Sequence, residues 1–322
     1  MKKKLAIGVD LGGTNIKAGI IDSDGNVIVK ISRLTEAQRG GQVVLKNILS
    51  SISDIISKNT QNKNIVSIGI GTPGLADNEL GGVKGGAKNL PGWEGIPFKK
   101  DIEKKFNLPA VIDNDANMVT LGEFYCGAGK GVKNLVCLTL GTGIGGGIIF
   151  DGKIFRGPGN YAAEIGHMNI SMEGPQCSCG SYGCLEAYAS ATAIVARTVS
   201  AIEKGNKTIL MDMTYNDTSK ITAKMITDAA EKGDALASAI IEETAKFLGV
   251  GIANLINLLN PEMVIISGGV AQAGNLILTP TIGTARQYSL KYAFDTVKIV
   301  TGKFKDEAGI IGAGMYSLKT LT

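Results

Sequence analysis

The residues best suited to chemistry gather in one stretch, Glu164 to Glu186 (EIGHMNISMEGPQCSCGSYGCLE). It holds the only histidine, His167, and three of the five cysteines, Cys177, Cys179 and Cys184. The carboxylates of Glu164 and Glu186 bracket that set. One imidazole and three thiolates form a complete donor set for a tetrahedral structural zinc ion. The other residues between the cysteines are Ser, Gly, Ser, Tyr and Gly, too small and polar to supply a core. A metal would hold such a loop; the alternatives are a reduced, loosely packed loop or a disulfide between two of the thiols.

A second polar group is Asp113-Asn114-Asp115-Ala116-Asn117, placed between a strand, Leu108–Ile112, and a helix with Met118, Leu121, Phe124 and Tyr125 on one face. The carboxyl end of a strand entering a helix is where α/β proteins bind ligands. If strand geometry continued, Asp113 and Asp115 would share a face opposite Asn114. The turn into the helix breaks that alternation, so the pattern leaves open which carboxylate faces a cleft. Helix capping near Ala116 competes with catalysis as the role of these residues.

The third chemical feature is repeated. A strand at Lys4–Asp10 runs into Gly12-Gly13-Thr14, followed by strands at Ile16–Ile21 and Val27–Ile31 with a turn at Asp24-Gly25-Asn26. In Leu138–Phe155, Gly141-Thr142 matches Gly13-Thr14, Ile144 matches Ile16, Gly147-Ile148-Ile149 matches Gly19-Ile20-Ile21, and Asp151-Gly152 matches Asp24-Gly25. A unit occurring twice predicts two similar domains facing each other. Glycine turns expose backbone N–H groups that can cradle phosphate oxygens, so the pair predicts a phosphate clamp between domains.

The elements that must position these groups alternate between strand and helix. Helical periodicity covers Gln42–Ser57; a strand at Ile65–Ile70 enters Gly71-Thr72-Pro73-Gly74; Leu80–Gly95 reads as a long loop before a charged helix, Phe98–Phe106. Helices are expected at Ala191–Ile202, Thr222–Lys232 and Ala235–Leu258, with an irregular connection over Gly205–Lys220. A strand at Met263–Ile266 ends in Ser267-Gly268-Gly269, where a flat ring or sugar could approach the backbone, or the chain could simply turn. Leu276–Gln287 reads as partly helical and Val297–Thr301 as a strand. The last helix, Ala308–Leu318, carries Gly309, Gly312, Ala313 and Gly314, which predicts close packing against another backbone.

At 322 residues the chain can form two domains, and 44 glycines with only 19% charged residues describe an apolar globular protein. A net charge of +4 without a basic stripe argues against nucleic-acid binding and suits a small anionic ligand. Leu5–Val9 is too short for a signal-peptide core, and Asn134–Phe150 and Met263–Ala285 read as strands and turns, not membrane spans. With clustered thiols, this predicts a reducing, cytoplasmic location.

The double Gly-Thr hairpin resembles the sugar kinase, actin and heat-shock chaperone ATPase superfamily, whose two ribonuclease-H-like α/β domains close on ATP. More narrowly, the chain resembles the ROK family (repressors, open reading frames and sugar kinases), and from end to end it looks like that family's bacterial glucokinases. The matching motifs are Asp10–Asn15, Gly71–Gly74, Asp113–Asn117, Leu140–Gly147, Glu164–His167 and Cys177–Glu186. The resemblance implies an ATP-dependent hexose kinase acting on the 6-hydroxyl of glucose, with Asp115 as general base. Asn114, Glu164, His167 and Glu186 would hold sugar hydroxyls, and Gly74 and Asn89 would line the sugar site. Asp10, Gly12, Gly13, Thr14, Asn15 and Lys17, with Thr142-Gly143, would meet Mg²⁺ and the phosphates, and Gly268-Gly269 would lie at the adenosine. His167 would serve zinc through one ring nitrogen and sugar through the other. The implied domains are 1–115 plus 303–322 and 116–302, the latter carrying the zinc loop 164–186, and the implied assembly is a homodimer or homotetramer. Mannose, fructose, N-acetylmannosamine or allose are alternative substrates. A sugar-responsive repressor would need an added N-terminal DNA-binding domain, for which the early first strand leaves no room.

Overall fold

The structure, a computed structural model, describes residues 3–59 and 64–322. Strand β1 (Leu5–Leu11) is apolar along both faces and is buried throughout, apart from a half-buried Asp10. It pairs antiparallel with β2 (Asn15–Asp22), which pairs with the alternating edge strand β3 (Val27–Leu34). Helix α1 (Gly41–Ser57) follows, and β4 (Ile65–Thr72) adds parallel to β1. A two-residue hairpin, β5 (Ala76–Asp77) with β6 (Gly82–Val83), interrupts the expected loop. Then come α2 (Phe98–Phe106) and β7 (Ala110–Asn114), which adds parallel to β4. The first sheet therefore reads β3-β2-β1-β4-β7.

Helix α3 (Asp115–Cys126) leads into β8 (Leu135–Leu140), β9 (Ile144–Phe150) and β10 (Lys153–Ile154), joined as antiparallel neighbours. Helices α4 (Glu186–Ala189), α5 (Ala191–Glu203), α6 (Leu210–Met213), α7 (Ala223–Glu231) and α8 (Ala235–Leu259) precede β11 (Met263–Ser267). After α9 (Asn275–Tyr288) and α10 (Lys291–Phe294), β12 (Lys298–Thr301) completes a second sheet, β10-β9-β8-β11-β12, and α11 (Ala308–Leu321) ends the chain. Both sheets have the same order and the same strand directions, two antiparallel steps and then two parallel ones. The sequence repeat is thus a structural repeat.

Each sheet has its own core. Val44, Ile48 and Ile52 of α1 pack with Trp93 and Phe98 against the first sheet, while Ile241, Leu248 and Ile252 of α8 pack against the second. Helices α3 and α11 lie between the sheets, backbone against backbone. A Cβ on Gly312 would stand 1.7 Å from the Met118 carbonyl oxygen, and one on Gly8 1.9 Å from that of Ile310. The small residues of the last helix exist for this approach, as their spacing suggested.

Several expectations are corrected. Helix α9 is complete and runs through Pro280, so the stretch from Met263 to Ala285 is a strand and a helix, not strands and turns. Pro280 is the sixth residue of α9, past its first turn, so the helix forfeits the backbone hydrogen bond that residue would donate. The connection over 205–220 contains α6 and a short 3₁₀ turn, Thr218–Lys220, and α10 had no expected counterpart. Strand β7 extends to Asn114, so α3 starts at Asp115. Among the described residues no helix is long and apolar enough to cross a membrane.

Candidate active site

The parallel register sets Asp10 beside Gly71, and Gly71 beside Asp113, at the carboxyl ends of β1, β4 and β7. The three polar residues that end β7 then separate by function. Asp113 is buried and receives a two-pronged ion pair from Arg156, whose Nε lies 2.9 Å from Oδ2. Asn117 Nδ2 donates to its other oxygen at 2.9 Å. Asn114 is the N-cap of α3: its Oδ1 accepts from the Ala116 and Asn117 amides at 2.9 and 3.3 Å, and its Nδ2 donates to the Gly74 carbonyl at 3.2 Å. The Asn114 side chain also hydrogen-bonds the Asp115 carboxylate, which works against the rise in its pKa. Asp115 stands in the first helical turn and accepts a bond from its neighbour's amide, Ala116, at 2.9 Å. Burial, with Glu164 adding to it, holds the Asp115 carboxyl above the ordinary range. Burial and then Asp115 push Asp10 up to about 6, against the pull of Lys17. Asp10, Asp115 and Glu164 thus share one electrostatic neighbourhood.

Adjacent buried carboxylates that repel each other are a donor set suited to a divalent cation, which fits Mg²⁺ at Asp10. Gly309 makes room for Asp10, since a Cβ there would lie 2.7 Å from its carboxyl carbon. Lys17 donates to the Asp306 carbonyl at 3.1 Å and approaches its carboxylate at 3.4 Å.

Both hairpins are closed in the same way. Gly12 N–H donates to the Asn15 carbonyl at 2.9 Å, and Gly141 N–H to that of Gly143 at 2.9 Å. Their tips, Gly13–Asn15 and Gly141-Thr142, are exposed. A Cβ on Gly13 would touch Asn89 at 3.6 Å, so the first hairpin abuts the loop expected to line the sugar site. A Cβ on Gly143 would stand 2.3 Å from Glu186 Oε2. That glycine makes room for a carboxylate, a reason the sequence did not disclose. Gly268, at φ +94°, packs against the Leu140 backbone beside the second hairpin, while Gly269 faces open space. Gly74, at φ +87°, is enclosed by the Gly85 carbonyl and Val83.

The zinc loop docks on the same hairpin. Gly166 lies against the Ile144 carbonyl, where a Cβ would meet it at 2.0 Å. Ala163, at φ +67°, is held in a conformation rare for side-chain-bearing residues and sets the direction of Glu164. The donor atoms of His167, Cys177, Cys179 and Cys184 all lie within 4.8 Å of one another. Cys179 and Cys184 Sγ are 3.8 Å apart, and Cys177 Sγ is 3.6 Å from His167 Nδ1. Tetrahedral bonds of roughly 2.3 Å to sulfur and 2.05 Å to nitrogen span about 3.8 and 3.6 Å between ligands. All five cysteines are free, which removes the disulfide alternative. Burial and the neighbouring thiols push Cys184 up to about 12. The Ser181 amide, by contrast, holds the Cys179 thiol below its ordinary range. Using Nδ1 at this cluster leaves Nε2 of His167 for another partner.

Sequence reasoning did not find Arg156, Glu123, Lys88 or Ser178. Glu123 carried a visible signal, a carboxylate on an otherwise apolar helix: it is fully buried and accepts from the amides of Ala128, Lys303 and Phe304 at 2.9, 3.0 and 2.9 Å. Arg156 and Lys88 lie in loops whose partners are distant in the chain, and Ser178, inside the cysteine motif, reads as a small polar spacer.

The ROK family profile matches residues 6–319, and the chain belongs to the ROK family. It is 37% identical to a glucokinase of Halalkalibacterium halodurans, over 98% of this chain and 95% of that one. It is 36% identical to a xylose repressor of Caldicellulosiruptor bescii, over 95% of this chain and 76% of the repressor. Its fold superposes on a ROK family glucokinase from Streptomyces griseus, solved in complex with glucose and AMPPNP, with a TM-score of 0.86 and 32% identity, covering 98% of this chain and 99% of that one.

Proposed function

We propose that this protein is an ATP-dependent glucokinase that transfers the γ-phosphoryl group of ATP to the 6-hydroxyl of glucose, with Asp115 as general base. The observation that carries this reading is the division of labour at the end of β7. Asp113 is spent on Arg156 and Asn114 on the helix cap, which leaves Asp115 as the half-buried carboxylate beside Asp10 and Glu164. The similarity to an enzyme solved with glucose and AMPPNP supports the same chemistry.

Phosphoryl transfer asks a protein mainly for position and charge neutralisation. The hairpin tips at Gly12, Gly13, Thr14 and Asn15 and at Thr142-Gly143, with Lys17, grip the phosphates, and Gly268-Gly269 sits at the adenosine. Asp10 would hold Mg²⁺, which would supply neutralisation of the phosphate oxygens. Asp115 accepts the proton of the primary hydroxyl as the new bond forms, and its raised pKa makes it the stronger base. Glu164, His167 Nε2, Glu186 and Asn114 bind sugar hydroxyls beside Gly74 and Asn89. His167 Nδ1, Cys177, Cys179 and Cys184 would hold a structural zinc ion, which would fix the imidazole tautomer. Residues 1–115 with 303–322 form one lobe and 116–302 the other, and their closure excludes water as a competing acceptor. We read the protein as cytoplasmic and as a homodimer or homotetramer.

A coupled assay of ADP release with Mg²⁺ and a panel of glucose, mannose, fructose, N-acetylmannosamine and allose tests the substrate. The highest kcat/KM is expected for glucose. Preference for another hexose would reassign the substrate, and no hexose-dependent ADP release would remove the kinase reading.

A further inference from the structure

Three hydrogen bonds cross the mouth of the cleft in sequence. Lys88, in the loop beside Asn89, donates from Nζ to the Ser178 carbonyl at 3.0 Å. Ser178, between two zinc-loop cysteines, donates from Oγ to Glu186 Oε1 at 2.9 Å. Glu186 Oε2 accepts the Ile144 amide at 2.9 Å, at the base of the second hairpin. The series runs from the first lobe, over the zinc loop, to the phosphate-binding turn of the second.

Its centre is a carboxylate whose direction has to be enforced. Glu186 Oε1 lies 3.7 Å from Cys177 Sγ. A thiol there could donate to it, but a metal-bound thiolate repels it. The Ser178 hydroxyl supplies the donor that keeps Oε1 in place once Cys177 is a ligand. An ionised carboxylate offers about four acceptor directions. With one on each oxygen occupied, the plane of the group is fixed and the others remain for sugar hydroxyls. The absent side chain of Gly143 permits this placement.

We propose that Ser178 is a positioning residue for the hexose subsite and that Lys88 reinforces it across the cleft, so that the two together aim Glu186 at the sugar. The inference rests on the reading of Glu186 as a hexose ligand. Ser178→Ala, Lys88→Met and Glu186→Gln are compared in the full-length, zinc-loaded protein by steady-state kinetics and elemental analysis. Losing one hydrogen bond to a charged group, Ser178→Ala should raise the glucose KM about three- to tenfold, with kcat and the ATP KM within about twofold. Its zinc content should be unchanged, and Ser178→Thr should restore the glucose KM. Lys88→Met, at an exposed contact, should raise the glucose KM about twofold, and the double variant should be no worse than Ser178→Ala. If Glu186→Gln raises the glucose KM while Ser178→Ala and Lys88→Met leave it unchanged, the clasp is overturned and the proposed function stands. If Glu186→Gln has no effect on that KM, the ligand reading falls and the clasp with it. Zinc loss in Ser178→Ala, or equal rises in both KM values, would show a merely structural serine and overturn the proposal.

Discussion

Asp113, Asn114 and Asp115 are consecutive, yet one forms an ion pair, one caps a helix, and the third is the general base of the proposed function. The difference arises because β7 gives way to α3 between Asn114 and Asp115, which ends the strand alternation at that point. The sequence showed that a polar group stood at a strand end. Its partner Arg156, forty-three residues away, is what separates Asp113 from Asp115, and no local pattern carries that. Asp10 provides a test at this scale. Its carboxyl titrates in the ordinary carboxylate range when unfolded and near 6 when folded. Between those values the native state binds the extra proton, so Asp10 reduces stability as pH rises through that window, and the loss is complete above about 6. With chelator present, Asp10→Asn should therefore be more stable than the parent at pH 8, on the order of 2 kcal/mol, and no more stable at pH 4. Urea midpoints at the two pH values measure this. An equal effect at both would show that Asp10 is not destabilised by its surroundings.

At the scale of elements, the hairpin repeat and the zinc loop were legible because each is local. Paired Gly-Thr turns and four ligands within eighteen residues leave a mark that needs no tertiary knowledge. Helix α9 was less legible because Pro280 is a helix breaker by propensity, yet the helix runs through it. The role of Gly143 was hidden for another reason: what fills the space over it, Glu186, arrives from a later element. The loop that joins His167 to Cys177, Cys179 and Cys184 contacts Glu186, which the proposed function places at the sugar. Cys179→Ser should accordingly release zinc and raise the glucose KM by about tenfold or more, with the ATP KM within about twofold. Elemental analysis and two-substrate kinetics read both. Equal weakening of the two substrates would contradict an orienting role for the metal site.

At the scale of the molecule, two sheets of equal topology are joined through α3 and α11. Glu123 fastens the segment between β12 and α11, and Arg156 ties Asp113 of β7 to Tyr316 of α11, donating to its hydroxyl at 2.9 Å. Arg156→Ala leaves the Asp113 carboxylate buried without its cation and should cost about 3 kcal/mol in unfolding free energy. A loss below about 1 kcal/mol would show that the ion pair does not hold the two halves together. The repeat made this two-sheet plan readable, whereas the ties between the halves are long-range pairs that had to be seen. In the proposed function, this plan brings a nucleotide's terminal phosphate, held by two hairpins, to a hydroxyl beside Asp115. The measurement that tests this most directly is the single-turnover rate of glucose 6-phosphate formation by Asp115→Asn, with glucose and ATP affinities determined by calorimetry on the same protein. The account predicts a rate at least about a hundredfold below the parent with both affinities nearly unchanged. A variant that binds both substrates and keeps most of its rate would contradict it.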